Sequence, residues 1–255
     1  MQNKIISLLG LALAGLFFTG CASNSAVRRV NQPDRSLVIV PVKGQPVIVQ
    51  SIHSSTVAGF GLVGAIAERT MATSRSEILC AHLNQDTNFD GERILAEECA
   101  NILKASSKIA FHDVTVHSLD MGMPGGKEMA DGEQQRFKAT WHNSAEWSDL
   151  VSKWRKSPPV VGNLEVTEKS VVFLEVALVE VYLNHNDKID PAIICWRVVD
   201  PITGKPLGDS VSIPFTGFNI TEVTTTSDYR FFESDFRKCM NHYSRIALHN
   251  LGLCD

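Results

Sequence analysis

The sequence predicts an α/β (α+β) protein: a mixed or antiparallel sheet with packed helices, closing in a C-terminal three-stranded meander followed by a long helix. Three observations lead there. Runs such as "SLVIVPVK" and "SVVFLEVALVEVYL" have the β-branched composition and length of strands. Between them Ile78, Leu79 and Leu83, then Ile94, Leu95, Cys99, Ile102 and Leu103, recur at helical spacing. The last part reads as strands joined by turn residues, and then as a long amphipathic helix.

The elements follow in order. "SLVIVPVKGQPVIVQS" gives two β-branched runs around Lys43-Gly44, a strand, a turn and a strand. The apolar, glycine-rich stretch 57–67 predicts a helix packed closely through its glycines; at 11 residues it is too short to span a bilayer. Its Gly59-x-Gly61-x-x-Gly64 is a weak dinucleotide signal, because seven residues separate Gly59 from the preceding strand. "KIAFHDVTVHSL" alternates as a strand, and residues 119–136 predict a mobile, exposed loop rich in turn formers. In "NSAEWSDLVSKWRKSPP", Ser144 is a candidate helix N-cap, Trp147, Leu150, Val151 and Trp154 share a face, and Pro158 forbids continuation. The meander spans "SVVFLEVALVEVYLNHND", "PAIICWRVVDPITGKPLGDS" and "VSIPFTGF", with its second turn at Asp200–Gly204. A helix from about Ser227 to Asn250 then buries Phe231, Phe232, Phe236, Met240, Tyr243, Ala247 and Leu251.

The N-terminus sets the address. Lys4 precedes an apolar run of 14 residues from Ile5 to Phe18. That length suits a secretion signal and falls short of the ~20 residues a spanning helix needs. Phe18-Thr19-Gly20-Cys21 resembles the lipobox of bacterial lipoproteins, with Phe18 in place of the usual leucine. The resemblance implies that residues 1–20 are removed and that Cys21 is acylated as the new N-terminus. With Ala22 and Ser23 after it, and no aspartate, it also implies an outer-membrane destination facing the periplasm. Two or more acyl chains give stable anchoring where one does not. Residues 21–35, polar and without periodicity, predict a flexible tether with a reach on the order of 20 Å. Residues 36–255 are then expected to fold as a single α/β domain.

Loss of residues 1–20 removes one lysine and no acid, leaving 23 basic and 28 acidic residues. Such a chain does not bind nucleic acid or anionic lipid by bulk charge.

The succession of "LVIVPV", "ERILAEECANILKASSKIAF", "VVFLEVALVEVYL", "VVDPITGKPL" and a long final helix resembles a small envelope lipoprotein scaffold. Its members include the curli-secretion lipoprotein, the lipoprotein activator of penicillin-binding proteins and the N-terminal domain of TolB. The resemblance covers about two thirds of the mature topology and rests on generic motifs. It implies work through protein surfaces and carries over no site residues.

One motif suggests a cation. Asp86, Asn88, Asp90, Gly91 and Glu97 satisfy the D-x-[DN]-x-[DN]-G-x5-E calcium loop, and Glu92 adds a carboxylate. Against it, Arg93 stands where such loops carry an apolar residue, no second loop follows, and Asp90 can equally cap a helix. Besides Cys21 there are Cys80, Cys99, Cys195, Cys239 and Cys254, an odd count that leaves a thiol over in an oxidising compartment. Cys80 and Cys99 flank the calcium-like loop and are the candidate disulfide. No nucleophile elbow, zinc helix, P-loop or C-x-x-C pair is present. The reading is a non-catalytic binding or scaffolding lipoprotein that meets an envelope protein or itself. The alternative is a periplasmic small-ligand or calcium-binding protein using Asp86–Glu97.

Overall fold

The computed structural model describes residues 24–43, 47–51, 76–85, 89–117, 121–122, 136–139, 144–163, 170–183, 189–200, 202–212 and 232–255. The signal segment, Cys21 and the glycine-rich stretch 57–67 lie outside these residues.

Strand β6 (Val171–Leu183), 13 residues long, organises the sheet. Along one edge it pairs antiparallel with β7 (Ile189–Val199), from Phe173 opposite Val199 to Leu183 opposite Ile189. A strand has only two edges, so every other partner must share the second one. There β1 (Ser36–Lys43) pairs in parallel from Ser36–Val171 to Pro41–Val176. Further along, β2 (Val47–Ser51) pairs in parallel from Ile48–Glu180 to Ser51–Leu183. The two strands therefore run in series and in the same direction, and the turn expected at Lys43-Gly44 does not reverse the chain. The physical reason lies in composition. Leu37, Ile39, Val40, Val42, Val47 and Val49 are all at most 1 % exposed, as an apolar run covered on both faces requires.

Outside β1 lie β3 (Asp113–Val116) and the short β4 (Met121–Gly122), and outside β2 lies β5 (Phe137–Ala139), all parallel. Met121 and Gly122 pair with Val42 and Lys43, so the stretch expected as a loop over 119–136 begins with a strand. On the far side β8 (Pro206–Val211) pairs antiparallel with β7 and completes the meander and the eight-stranded mixed sheet. The turn between them falls where the sequence predicts it. Gly204 N–H donates to Asp200 O at 2.8 Å, Asp200 N–H donates to Lys205 O at 3.0 Å, and Gly204 takes φ +63°. Asp200 accepts from Ile202 N–H and the Thr203 hydroxyl, which fixes the bend.

One face of the sheet carries helices α1 (Asn24–Val30), α2 (residues 76–85), α3 (Gly91–Ala105) and α5 (Phe232–Asn250). Phe236, Met240, Tyr243, Ala247 and Leu251 bury the predicted stripe of α5 against Leu95, Cys99 and Ile102 of α3. The helix ends at Gly252, φ +74°, where Leu253 N–H reaches Leu248 O and Gly252 N–H reaches His249 O, both at 2.8 Å.

Helix α1 corrects the tether expected over residues 21–35. Val27 and Val30 are buried and the helix packs on β8. The Asn31 side chain then donates to Lys108 O and accepts from Ala110 N–H, both at 2.8 Å. Two valines three residues apart give even this short polar stretch an apolar stripe, and packing supplies the stability that its length cannot.

The opposite face carries α4 (Ser144–Lys156) and a 3₁₀ turn at Val160–Asn163. A buried ion pair fastens them. Glu175 on β6 faces Arg197 on β7, with both side chains at most 1 % exposed. Arg197 Nε and Nη2 donate to Glu175 Oε2 at 2.9 and 2.5 Å, and Nη1 donates to the carbonyls of Trp154 at 3.2 Å and Ser157 at 2.8 Å. Its guanidinium lies 4.4 Å over the Trp154 ring. Glu175 Oε1 accepts from Val161 N–H at 2.9 Å, so the pair ties the end of α4 and the 3₁₀ turn to the sheet.

Breaking a pair of this kind from one side leaves a buried charge without its partner. Arg197→Met and Glu175→Leu should each lower unfolding free energy by about 3–5 kcal/mol, and the double variant by clearly less than their sum. Urea denaturation of the three variants and the parent measures this coupling.

Candidate functional site

Two of the residues that the sequence marks for chemistry, Asp90 and Glu92, stand at the start of α3, beside the end of β1. Asp90 keeps an extended backbone, φ −126° and ψ 96°, and its carboxylate accepts from Arg93 N–H at 3.0 Å, as an N-cap does. Its other oxygen takes Lys43 Nζ at 2.6 Å. At Gly91 a Cβ would lie 2.8 Å from Leu178 Cδ2, so a side chain there would make that leucine shift.

Glu92 turns inward. Its side chain is 1 % exposed and ion-paired with Arg136, just ahead of β5. Burial holds the Arg136 guanidinium below its ordinary pKa, with the charge of Asp90 acting the other way. Below these pairs, Asn84 of α2 exchanges two hydrogen bonds with the Phe137 backbone at 2.9 and 2.8 Å. Phe89 meets Phe137 in a tilted contact with centroids at 5.7 Å and Phe236 edge-to-face at 5.2 Å. Two ion pairs thus sit over an aromatic cluster that joins α2, α3, α5 and β5.

Glu97 belongs to a different surface. It accepts from Arg93 Nε at 3.2 Å and from Arg237 Nη1 at 2.9 Å. Arg237 also meets Glu233 at 3.0 Å and Glu98 at 3.6 Å, and Asn241 donates to Glu98 at 2.8 Å. This clasp between α3 and α5 borders a groove of about 730 Å³ lined by Glu98, Glu233, Ser234, Arg237, Lys238 and Asn241.

The calcium-loop reading is corrected at three of its five carboxylate and amide positions. Asp90, Glu92 and Glu97 do not converge, because the helix begins at Gly91 and turns Asp90 to Lys43, Glu92 to Arg136, and Glu97 to Arg93 and Arg237. Asp86 and Asn88 lie outside the described residues. Among the described residues, no three His, Cys, Asp or Glu side chains are grouped to hold a metal ion.

The candidate disulfide is corrected as well. Cys80 and Cys99 are free thiols, as are Cys195 and Cys254, and with Cys239 all five cysteines are buried. Cys99 is turned away to α5, where its thiol donates to the Ser244 hydroxyl at 3.3 Å. Burial pushes the Cys80 and Cys195 thiols up to about 12 and the Cys99 thiol up to about 11. Such thiols stay protonated and unreactive at neutral pH.

Compared with models of known families and with curated proteins, the chain matches none.

Two measurements check this geometry. Asp90→Ala should lower stability by about 1 kcal/mol, to the same extent in millimolar calcium as in chelator, because the carboxylate caps a helix. In alkylation at pH 8 the five thiols should react slowly in native protein and all five readily in urea. The sign with pH follows from their raised values. Unfolded thiols ionise near the ordinary 9.0 while folded Cys80 and Cys99 do not until about 11–12, so stability should fall as pH rises through that window.

Proposed function

We propose that this protein is a non-catalytic lipoprotein of the outer membrane, anchored through an acylated Cys21 and facing the periplasm as a binding or scaffolding module. Its partner on this reading is an envelope protein or a second copy of the chain. The observation that carries the proposal is the apolar run from Ile5 to Phe18 followed by Gly20-Cys21. The resemblance of the element order to the envelope lipoprotein scaffold supports a role through protein surfaces. So does the state of the buried and half-buried charged groups. Asp90, Glu92, Glu97 and Glu175 are each engaged by a lysine or arginine within the fold, which suits holding a surface in shape.

Replacing the anchor residue tests this. Wild-type protein should fractionate with outer membranes and carry the mass of attached acyl chains, whereas Cys21→Ser should lose that mass and leave the outer-membrane fraction. Cross-linking of the wild-type chain in cells should capture one dominant envelope protein or a ladder of self-adducts. Equal membrane retention of both forms, or a Cys21 free of acyl groups, overturns the anchor. Capture of only bulk lipid and porins overturns the scaffolding role.

A further inference from the structure

We infer that the end of the sheet carrying α1 and the β7–β8 turn is a bilayer-docking face, with Ile202 at its tip entering the lipid headgroup layer. The inference rests on the reading of Cys21 as the anchor, and it follows from how little chain lies between that residue and the fold. From Cys21 to Asn24 are three peptide links, at most about 11 Å. Helix α1 adds about 10 Å to its far end at Val30. Because Val27, Val30 and Asn31 are fixed to the fold, the anchor cannot stray far from this end. Strand β6, at 13 residues, is about 43 Å long, so the opposite end is beyond its reach.

Pairing register shows which elements share the anchored end. Ser36 is beside Asp113 and Val171, Phe173 is beside Val199, and Val199 is beside Pro206. The starts of β1 and β8 and the turn at Asp200–Lys205 therefore lie together, with α1 packed on β8. The opposite end holds Lys43 and the start of α3.

The surface chemistry of the anchored end fits a bilayer. Ile202 is 58 % exposed, more than any other large apolar side chain among the described residues. It projects from a turn pinned by Asp200 and Gly204, so exposing it to lipid costs no rearrangement. Arg28 and Arg29 on α1 and Lys205 in the turn are exposed at this end, as are Asp34 and Asp113. Of the acids at this end, Asp200 is turned onto the N–H and hydroxyl of its own turn, Asp255 is paired with Lys108, and Asp113 accepts from Val114 N–H. An exposed apolar tip on the end that also carries exposed arginines and a lysine suits an interfacial anchor.

The test couples the chain from Cys21 onward, through that thiol, to maleimide-bearing lipid in phosphatidylethanolamine–phosphatidylglycerol vesicles. Benzoylphenylalanine is placed at position 202 or, as the distal control, at position 93 at the start of α3. After irradiation, lipid adducts at 202 should exceed those at 93 by about tenfold, and Arg28→Glu with Arg29→Glu should cut the yield at 202 several-fold. Equal yields at the two positions, or none at 202, overturn the docking face. Because coupling supplies the anchor chemically, this result stands apart from the acylation state of Cys21 in cells, which tests the anchor reading itself.

Discussion

Strand β6 is the constraint on which the other elements depend. Its antiparallel edge is filled by β7 along nearly its whole length, so β1 and β2 can enter the sheet only along the other edge, and they do so end to end. The Glu175–Arg197 pair sits at the middle of this arrangement. In an apolar two-sided sheet an ionised side chain is costly unless every lone pair and N–H finds a partner. Here the partners are the carbonyls and N–H that end α4 and the following turn, so the cost of burying charge is converted into a fixed position for the layer on that face.

The same logic recurs on the other face with a different result. Lys43–Asp90 and Glu92–Arg136 join the end of β1, the start of α3 and the start of β5, while Arg237 clasps α3 to α5. The ion pairs are therefore placed between elements distant in sequence, and they fix the relative placement of helices and strands. A surface held this way suits recognition of another macromolecule, because little conformational freedom remains to be lost on binding.

Much of this was legible in the residues. The helical spacing at Ile94, Leu95, Cys99, Ile102 and Leu103, the first two strands of the meander and the turn at Asp200–Gly204 stand where periodicity and turn chemistry put them, while most of the expected third segment, 213–218, lies outside the described residues. The fold of α1 was not legible, since "NSAVRRV" has a stripe of only two valines and owes its helix to β8 and to the loop that Asn31 grips. The in-series placement of β1 and β2 was hidden for a related reason: a strand–turn–strand signature describes local chemistry, and which edge receives each strand is decided by β6. The calcium-like pattern misled because short oxygen side chains before a helix serve equally as turn formers and as an N-cap. Glu175 and Arg197 were the missed signal. A single acid in "VVFLEVAL" and a single base in "IICWRVV" inside otherwise apolar strands call for each other across the sheet.

On the proposed reading of Cys21 as an acylated anchor, the docked first helix places the domain against the bilayer in place of a flexible tether. Neutron reflectometry of the acylated protein on a supported bilayer measures that difference directly. Protein density that begins at the headgroups, without a separating water layer, is the predicted profile. A hydrated gap on the order of 20 Å, as a free coil would leave, would contradict the account.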